Sequence, residues 1–196
     1  MRLFAICRHA HSQLNLERRV NGDPSVEVAL TEQGIDEARR LGLQFAHVPI
    51  ELCVHTRFGR TRTTAEIALE SRGVAFLEEP LLDDVDVGEL EGSSLDEYRR
   101  WKDVRARGDR FPGGESLDES ALRYAAGFRR LLERSEQVTL VVCHEIPLRY
   151  AHNAAAGADD LDWPVHAIPN ATPYLFDDAA LARAVARIEA LVPQSG

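Results

Sequence analysis

The sequence lacks any apolar run that approaches the roughly 20 residues a membrane-spanning helix needs. Its first residues, Met1 to Cys7, contain no long apolar region followed by a small-residue cleavage site, so they do not resemble a secretory signal peptide. We therefore expect a cytoplasmic protein that does not interact with membranes.

Cysteine is scarce: Cys7, Cys53 and Cys143 are the only three in the chain, and each lies in or at the end of an apolar run. A disulfide-stapled fold needs more cysteines than this, whereas buried cysteines behave as small apolar side chains. The pattern predicts three buried, reduced thiols in a reducing compartment.

Positive charge is also in short supply, because 23 Lys and Arg stand against 32 Asp and Glu, for a net charge of −9. Such an acidic chain is a poor binder of nucleic acid or of anionic membranes. It can still bind a small anion where a few positive side chains converge in one pocket.

Nothing in the sequence suggests a repeat, a low-complexity segment or a linker, so we expect a single domain over residues 1–196. Strands are predicted at residues 2–7, 51–55, 74–77 and 138–143, and residues 8–30 are predicted to form a loop. Helices are predicted at 31–47, 58–70, 116–134 and 146–155, with two more starting near 94 and 177. This alternation is typical of an α/β fold with a mainly parallel sheet.

Two of the strongest predicted strands end in a cysteine and are followed at once by a histidine, His9 or His144. Ligands of parallel sheets bind beyond the carboxyl ends of the strands, where both histidines fall. Arg8 precedes His9, so a guanidinium that can grip phosphoryl oxygens stands beside an imidazole that is nucleophilic near neutral pH. On its own, an Arg-His pair is more often part of an ordinary polar loop.

Two further segments carry charge in suggestive places. Arg57, Arg60 and Arg62 lie where the helix after the second strand begins, and a helix N-terminus favours anions. An acidic run follows at residues 83–91, and it could supply a general acid. On its own, each segment would more often be part of a solvated surface.

Together these segments resemble the histidine phosphatase superfamily, also called the phosphoglycerate mutase-like family. The resemblance is carried in order by Arg8-His9 with Ser12 and Asn15, by Asn21-Gly22, by residues 56–65, by Gly88 to Gly92, by Gly113 to Ser116, and by His144. In this alignment the phosphate-binding arginine falls on Arg60 rather than Arg57. The family's acid falls on Asp84, four residues before Gly88, with Asp86 as the alternative.

The resemblance implies a three-layer α/β/α sandwich and a two-step phosphoryl transfer. His9 would attack phosphorus, Asp84 would act as general acid and then base, and Arg8, Arg60 and His144 would hold the phosphoryl oxygens. Six residues are expected to bind the substrate, namely Ser12, Asn15, Asn21, Gly22, Arg57 and Glu145. No metal or cofactor is expected, and the expected partner is a small phosphorylated substrate. The oligomeric state stays open, with a homodimer among the options.

Two residues depart from the family pattern, since Asp84 stands where Glu is usual and Glu145 stands where Gly is usual. We expect Glu145 either to pair with an arginine, of which Arg57, Arg60 and Arg149 are the candidates, or to face solvent in the first helical turn. The variable segment at about 93–115 allows two interpretations. It forms either a charged helix anchored by Trp101 or a cap that binds a second anionic group of the substrate.

Four other interpretations remain open. The chain could be a phosphoglycerate mutase, or a catalytically weak protein that binds a phosphorylated ligand. Cys143 and Arg149 have the spacing of a cysteine phosphatase loop, although Pro147 removes an amide that such a loop needs. His9, His11 and His144 could instead serve a metal hydrolase. The natural substrate does not follow from the sequence.

Overall fold

A five-stranded sheet organises the computed structural model, which describes residues 1–193. Its strands are β1 (Leu3–Arg8), β2 (Leu52–His55), β3 (Ala75–Glu78), β4 (Val138–Cys143) and β5 (Pro173–Asp177), in the order β3-β2-β4-β1-β5. The first four strands run parallel, and β5 pairs with β1 in the antiparallel direction. The sheet is therefore mainly parallel, as the sequence predicted.

Seven α-helices occur within residues 1–193: α1 (Gln13–Leu16), α2 (Glu32–Gln44), α3 (Gly59–Ala68), α4 (Leu95–Asp103), α5 (Leu117–Leu132), α6 (Glu145–Ala155) and α7 (Asp178–Leu191). The predicted cap residues do begin their helices. Thr31 and Asp177 each accept a backbone N–H in the first turn, and Ser94 and Ser116 form complete capping boxes.

The two faces of the sheet pack against different helices. Because side chains alternate along a strand, Phe4 and Ile6 of β1 join a core with α5, α6 and α7, whereas Ala5 and Cys7 join a core with α2 and α3. Helices thus cover both faces, which confirms the three-layer α/β/α fold.

The sequence prediction missed two elements. Residues 8–30 contain the short helix α1, which Ser12 caps, and the strand β5 precedes α7 at an edge of the sheet. Pro173 opens β5, and its missing N–H is tolerated because this strand borders the sheet. A five-residue segment with proline at one end gives little periodicity from which a strand could be predicted.

The three cysteines are fully buried and free, as predicted. Within residues 1–193, no helix is both long enough and apolar enough to cross a membrane.

Candidate active site

The three central strands bring the predicted site together. β2, β4 and β1 are neighbours, and beyond their carboxyl ends come Thr56, His144 and His9, respectively. The His9 backbone N–H donates to the Cys143 carbonyl at 2.9 Å, which extends the pairing of β1 with β4 past the last strand residues. A cleft of about 320 Å³ opens above this point, with His9 at its floor.

Arg60, in the first turn of α3, joins the groups at the floor of the cleft. Its Nε donates to His9 Nε2 at 3.0 Å, and its Nη2 lies 3.1 Å from His144 Nδ1 and 3.3 Å from Asp84 Oδ2. The carboxamide oxygen of Asn21 accepts from Nη1, and the Asn21 carbonyl accepts from Nη2 at 3.2 Å. Burial lowers the pKa of Arg60, with Asp84 acting in the opposite direction. The guanidinium thus fixes three predicted catalytic side chains at once.

His9 presents one unprotonated ring nitrogen to the cleft. Its Nδ1 lies 2.8 Å from the Ala10 carbonyl, which can only accept, so the proton is on Nδ1. The lone pair is then on Nε2, where it accepts from Arg60. Burial lowers the pKa of His9 well below its ordinary value, and the charges of Arg60 and Arg8 lower it further. The ring is therefore neutral at physiological pH.

His144 is oriented by hydroxyl groups that lie behind it. Its Nε2 lies 2.9 Å from Thr56 Oγ1, which is 3.0 Å from Thr61 Oγ1, and Thr61 donates to the Phe58 carbonyl at 2.8 Å. This chain is satisfied when His144 Nε2 is the donor, so Nδ1 is left as the acceptor for Arg60. Burial lowers the pKa of His144 well below its ordinary value, followed by the charge of Arg60. Sequence reasoning did not single out Thr61.

Asp84 is the only acidic side chain of the 83–91 run that reaches the floor of this cleft. Its Oδ2 is 3.4 Å from His144 Nδ1, and the side chain keeps a quarter of its surface exposed. Burial raises the pKa of Asp84, and the nearby Arg60 only partly offsets this. Asp86, the alternative, bonds the Gly88 N–H at 3.0 Å and faces a second cleft on the other side of the segment.

Glu145 faces the cleft, where it pairs with two arginines. Its Oε2 is 2.5 Å from Arg8 Nη1, and its Oε1 is 3.4 Å from Arg149 Nη1. Arg149 was an expected partner, but Arg8 was not, and neither Arg57 nor Arg60 contacts this carboxylate. Arg149 also pairs with Asp162 at 2.6 Å. Arg8, Glu145, Arg149 and Asp162 therefore form a row of alternating positive and negative charges.

Among the predicted substrate-binding residues, Ser12, Asn15, Asn21 and Glu145 line the cleft, whereas Gly22 and Arg57 line the second cleft. A Cβ atom on Gly22 would lie 2.1 Å from the Val85 carbonyl oxygen, so this glycine permits close backbone packing beside Asp84. The Arg57 side chain pairs with Asp83 at 2.5 Å and borders the second cleft.

Helix α4 forms the outer wall of the cleft. Tyr98, Arg99 and Lys102 line it, whereas Trp101 stacks on Phe111 with ring centroids 4.2 Å apart. The segment therefore contains the features of both interpretations. Trp101 is an aromatic anchor, and Arg99 and Lys102 are cations that face the cleft. Within residues 1–193, no carboxylate lies in salt-bridge range of the half-buried Lys102 ammonium.

The geometry does not favour either a cysteine nucleophile or a three-histidine metal site. Burial raises the pKa of Cys143 to about 12, and its thiol lies in the hydrophobic core. The His11 ring bonds Thr31 Oγ1 at 3.0 Å, and His11 does not line the cleft with His9 and His144.

The site consists of two neutral imidazoles and a buried arginine at the carboxyl end of a mainly parallel α/β sheet. The sequence profile of the histidine phosphatase superfamily (branch 1) matches residues 4–186. The chain belongs to this superfamily.

Individual relatives have different activities. The chain is 34% identical to a 2,3-bisphosphoglycerate-dependent phosphoglycerate mutase of Methylorubrum populi, in an alignment 165 positions long that covers 76% of each chain. It superposes on the alpha-ribazole phosphatase of Shigella flexneri with a TM-score of 0.78 at 21% identity, covering 89% of this chain and 90% of that one. It also superposes on a mycobacterial glucosyl-3-phosphoglycerate phosphatase with a TM-score of 0.75 at 19% identity, covering 89% and 92%. These two structures establish the shared fold alone.

The buried neutral histidines predict how stability depends on pH. The pKa values of His9 and His144 are lowered in the folded state, so the unfolded chain takes up protons first, near pH 6.5. Stability should be fully present above pH 6.5 and should fall below it, by up to about 1.4 kcal/mol per pH unit for each histidine. Urea unfolding between pH 7.5 and 5.5 measures this slope.

One variant assigns that slope to the site. His9→Asn should remove the share of one histidine. A His9→Asn protein with the wild-type slope would contradict the assignment of a neutral buried ring.

Proposed function

We propose that this protein is a phosphomonoester hydrolase that acts on a small phosphorylated metabolite through a phosphohistidine on His9. The observation that carries the proposal is the His9 ring, which is neutral and presents the Nε2 lone pair to an open cleft beside Arg60 and Arg8. A neutral imidazole is a nucleophile without a separate base, and the arginines stabilise the charge of the transferring group.

In the first step, His9 Nε2 attacks phosphorus while the bond to the leaving oxygen breaks. Protonated Asp84, whose pKa is raised by burial, gives its proton to that oxygen. Arg8 and Arg60 bind equatorial oxygens, and Arg60 must exchange its bond with Nε2 for bonds to the substrate. His144 binds the third oxygen only after its Nδ1 takes up a proton, because its Nε2–H is donated to Thr56. The Nδ1–H bond to the Ala10 carbonyl strengthens, because the phosphorylated ring carries positive charge.

In the second step, water attacks phosphorus from the side that the alcohol has left. Asp84, now a carboxylate, takes a proton from this water, and the P–N bond breaks so that Nε2 recovers its lone pair. Inorganic phosphate leaves, and Asp84 is protonated again for the next turnover.

The outer wall selects the substrate in this proposal. Lys102 and Arg99 lie three residues apart on α4 and face the same cleft, in a protein whose net charge is −9. They suit a substrate that carries a second anionic group at a distance from the phosphate. Val20, Leu95 and Ile146 also line the cleft. They suit an apolar or sugar-like spacer between the phosphate and the second anionic group.

Phosphoglycerate mutase activity is the second candidate, because a mutase is among the relatives above 30% identity. The two activities differ in whether water or a second hydroxyl accepts the phosphoryl group from His9. Incubation with 3-phosphoglycerate, with and without 2,3-bisphosphoglycerate, distinguishes them. A hydrolase releases inorganic phosphate, whereas a mutase accumulates 2-phosphoglycerate only when it has been primed.

His9→Ala should lower turnover of p-nitrophenyl phosphate by a factor of roughly 10³ or more, because the variant lacks the ring nitrogen that the proposal assigns as the nucleophile. Wild-type enzyme quenched during turnover should carry phosphate that is labile in acid and stable in base. A folded His9→Ala protein that keeps more than a few per cent of the activity would refute the proposal.

Asp84→Asn should slow hydrolysis of an alkyl phosphate by roughly 100-fold or more, because a poor leaving group needs a proton. The same variant should slow p-nitrophenyl phosphate by less than about tenfold, because p-nitrophenolate leaves without one. Asp86→Asn is the matched control, since Asp86 faces the second cleft, and it should leave both rates near wild type. Equal losses on both esters in Asp84→Asn would rule out the acid function.

Glu145→Gly should free Arg8 to bind phosphate, so the inhibition constant of inorganic phosphate should fall roughly tenfold, equivalent to about 1.4 kcal/mol. Glu145→Gln keeps the size of the side chain and removes its charge, so it should give most of the same effect. An unchanged inhibition constant in both variants would mean that this carboxylate does not restrain the pocket.

A further inference from the structure

Arg123, on α5, bonds to the backbone that carries Asp84, although its side chain does not line the cleft. Its Nη1 donates to the carbonyls of Leu81 and Asp83 at 3.0 and 2.9 Å, and its Nη2 donates to the Asp84 carbonyl at 3.1 Å. One guanidinium therefore holds three carbonyls within four successive residues. No secondary-structure ladder supplies these bonds, because the segment runs as irregular backbone after the turn Pro80–Leu82.

The remaining donors of Arg123 are satisfied by Glu115. Arg123 Nε lies 3.1 Å from Glu115 Oε2, and Nη2 lies 2.5 Å from Oε1. All five N–H donors of the guanidinium are thus in use, which is the full capacity of the side chain. Glu115 also receives the Asp86 N–H on Oε1 at 3.0 Å, and its own N–H donates to the Asp86 carbonyl at 3.0 Å.

The same segment is held on two other sides. Gly127 lies one turn after Arg123 on the same face of α5, and a Cβ there would lie 2.8 Å from Leu82 Cδ2, so the helix packs directly on the segment. Asp83 pairs with Arg57, whose backbone N–H donates to it at 3.0 Å, in the loop that leads to Arg60. The backbone of Asp84 is therefore tied to both α5 and the start of α3.

We infer that Arg123, together with Glu115, is a positioning residue that aims the Asp84 carboxyl at the leaving oxygen. The inference rests on the proposed function, because it concerns the acid step of that reaction. An aspartate has only two side-chain torsions, so the placement of its carboxyl depends closely on its backbone. A displacement of the carboxyl group by roughly 0.5–1 Å is enough to impair proton transfer. Arg123 itself touches neither the nucleophile nor the proposed phosphate-binding side chains.

The test compares two esters in Arg123→Gln, Arg123→Lys and the control Arg129→Gln. Arg129 lies on the same helix, but it is half-exposed and pairs with Glu189. In Arg123→Gln, kcat for an alkyl phosphate should fall roughly 30-fold, whereas kcat for p-nitrophenyl phosphate should fall less than about threefold. Arg123→Lys should show the same pattern more weakly, because an ammonium keeps the charge but has three donors. The control should keep both rates and their ratio.

A double variant separates positioning from general loss of structure. In the Asp84→Asn background, Arg123→Gln should cause no further change in the ratio of the two rates, since the group that Arg123 positions is already removed. An undiminished effect in that background, or equal losses on both esters, would overturn the inference. If Arg123→Gln does not fold, Arg123→Lys decides by the same criterion.

Hydrogen exchange of backbone amides tests the bonds between Arg123 and residues 81–84 without relying on activity. Peptides that cover residues 81–86 should exchange faster in Arg123→Lys than in Arg129→Gln. Wild-type exchange rates in Arg123→Lys would show that these bonds do not hold the segment. A wild-type protein that hydrolyses no ester, or a His9→Ala protein that still does, would instead overturn the proposed function and, with it, the catalytic part of this inference.

Discussion

The burial of the Arg60 guanidinium is the constraint on which the rest of the site depends. Only 4% of this residue is exposed, and an isolated charge in such a place would be strongly unfavourable. The structure compensates it with Asp84, with both oxygens of Asn21 and with the lone pairs of His9 and His144, while Phe58 lies 4.3 Å from the guanidinium. Each of these partners must be an acceptor for the arrangement to hold.

That requirement matches the protonation state of the site. Burial is the main cause of the lowered pKa of both histidines. Arg60 lowers each pKa further, because it bonds to a ring nitrogen of each histidine only while that nitrogen is unprotonated. For His9 this is the state that a nucleophile needs. The same cation works against burial at Asp84, where it limits the rise of the pKa. In the proposed function, one charge therefore keeps the nucleophile unprotonated and also limits the pKa rise of the acid.

The sequence predicted the parts of the site that depend on local pattern. His9 and His144 follow runs of buried strand residues, and that pattern is enough to place them at the carboxyl end of the sheet. The pairing of Glu145 with Arg8 was beyond such reasoning, because it joins the ends of two strands that only the sheet order makes neighbours. The position of Arg57 shows the same limit. It lies three residues before Arg60, but Asp83 holds it on the other side of the segment.

The segment around Asp84 shows why an acid of this length needs a rigid backbone. Asp84 stands where the family resemblance leads us to expect glutamate, and an aspartate carboxyl reaches about one methylene less far. In the proposed function its backbone must therefore come closer to the phosphate. Two glycines allow this approach, since a Cβ on Gly22 or Gly114 would lie 2.1 Å from the Val85 oxygen or 2.3 Å from the Asp86 oxygen. Close packing of backbone on backbone leaves carbonyls without a strand partner, and buried carbonyls need donors. Three of the five N–H donors of Arg123 bond to these carbonyls. The aspartate, the two glycines and the arginine therefore depend on one another structurally.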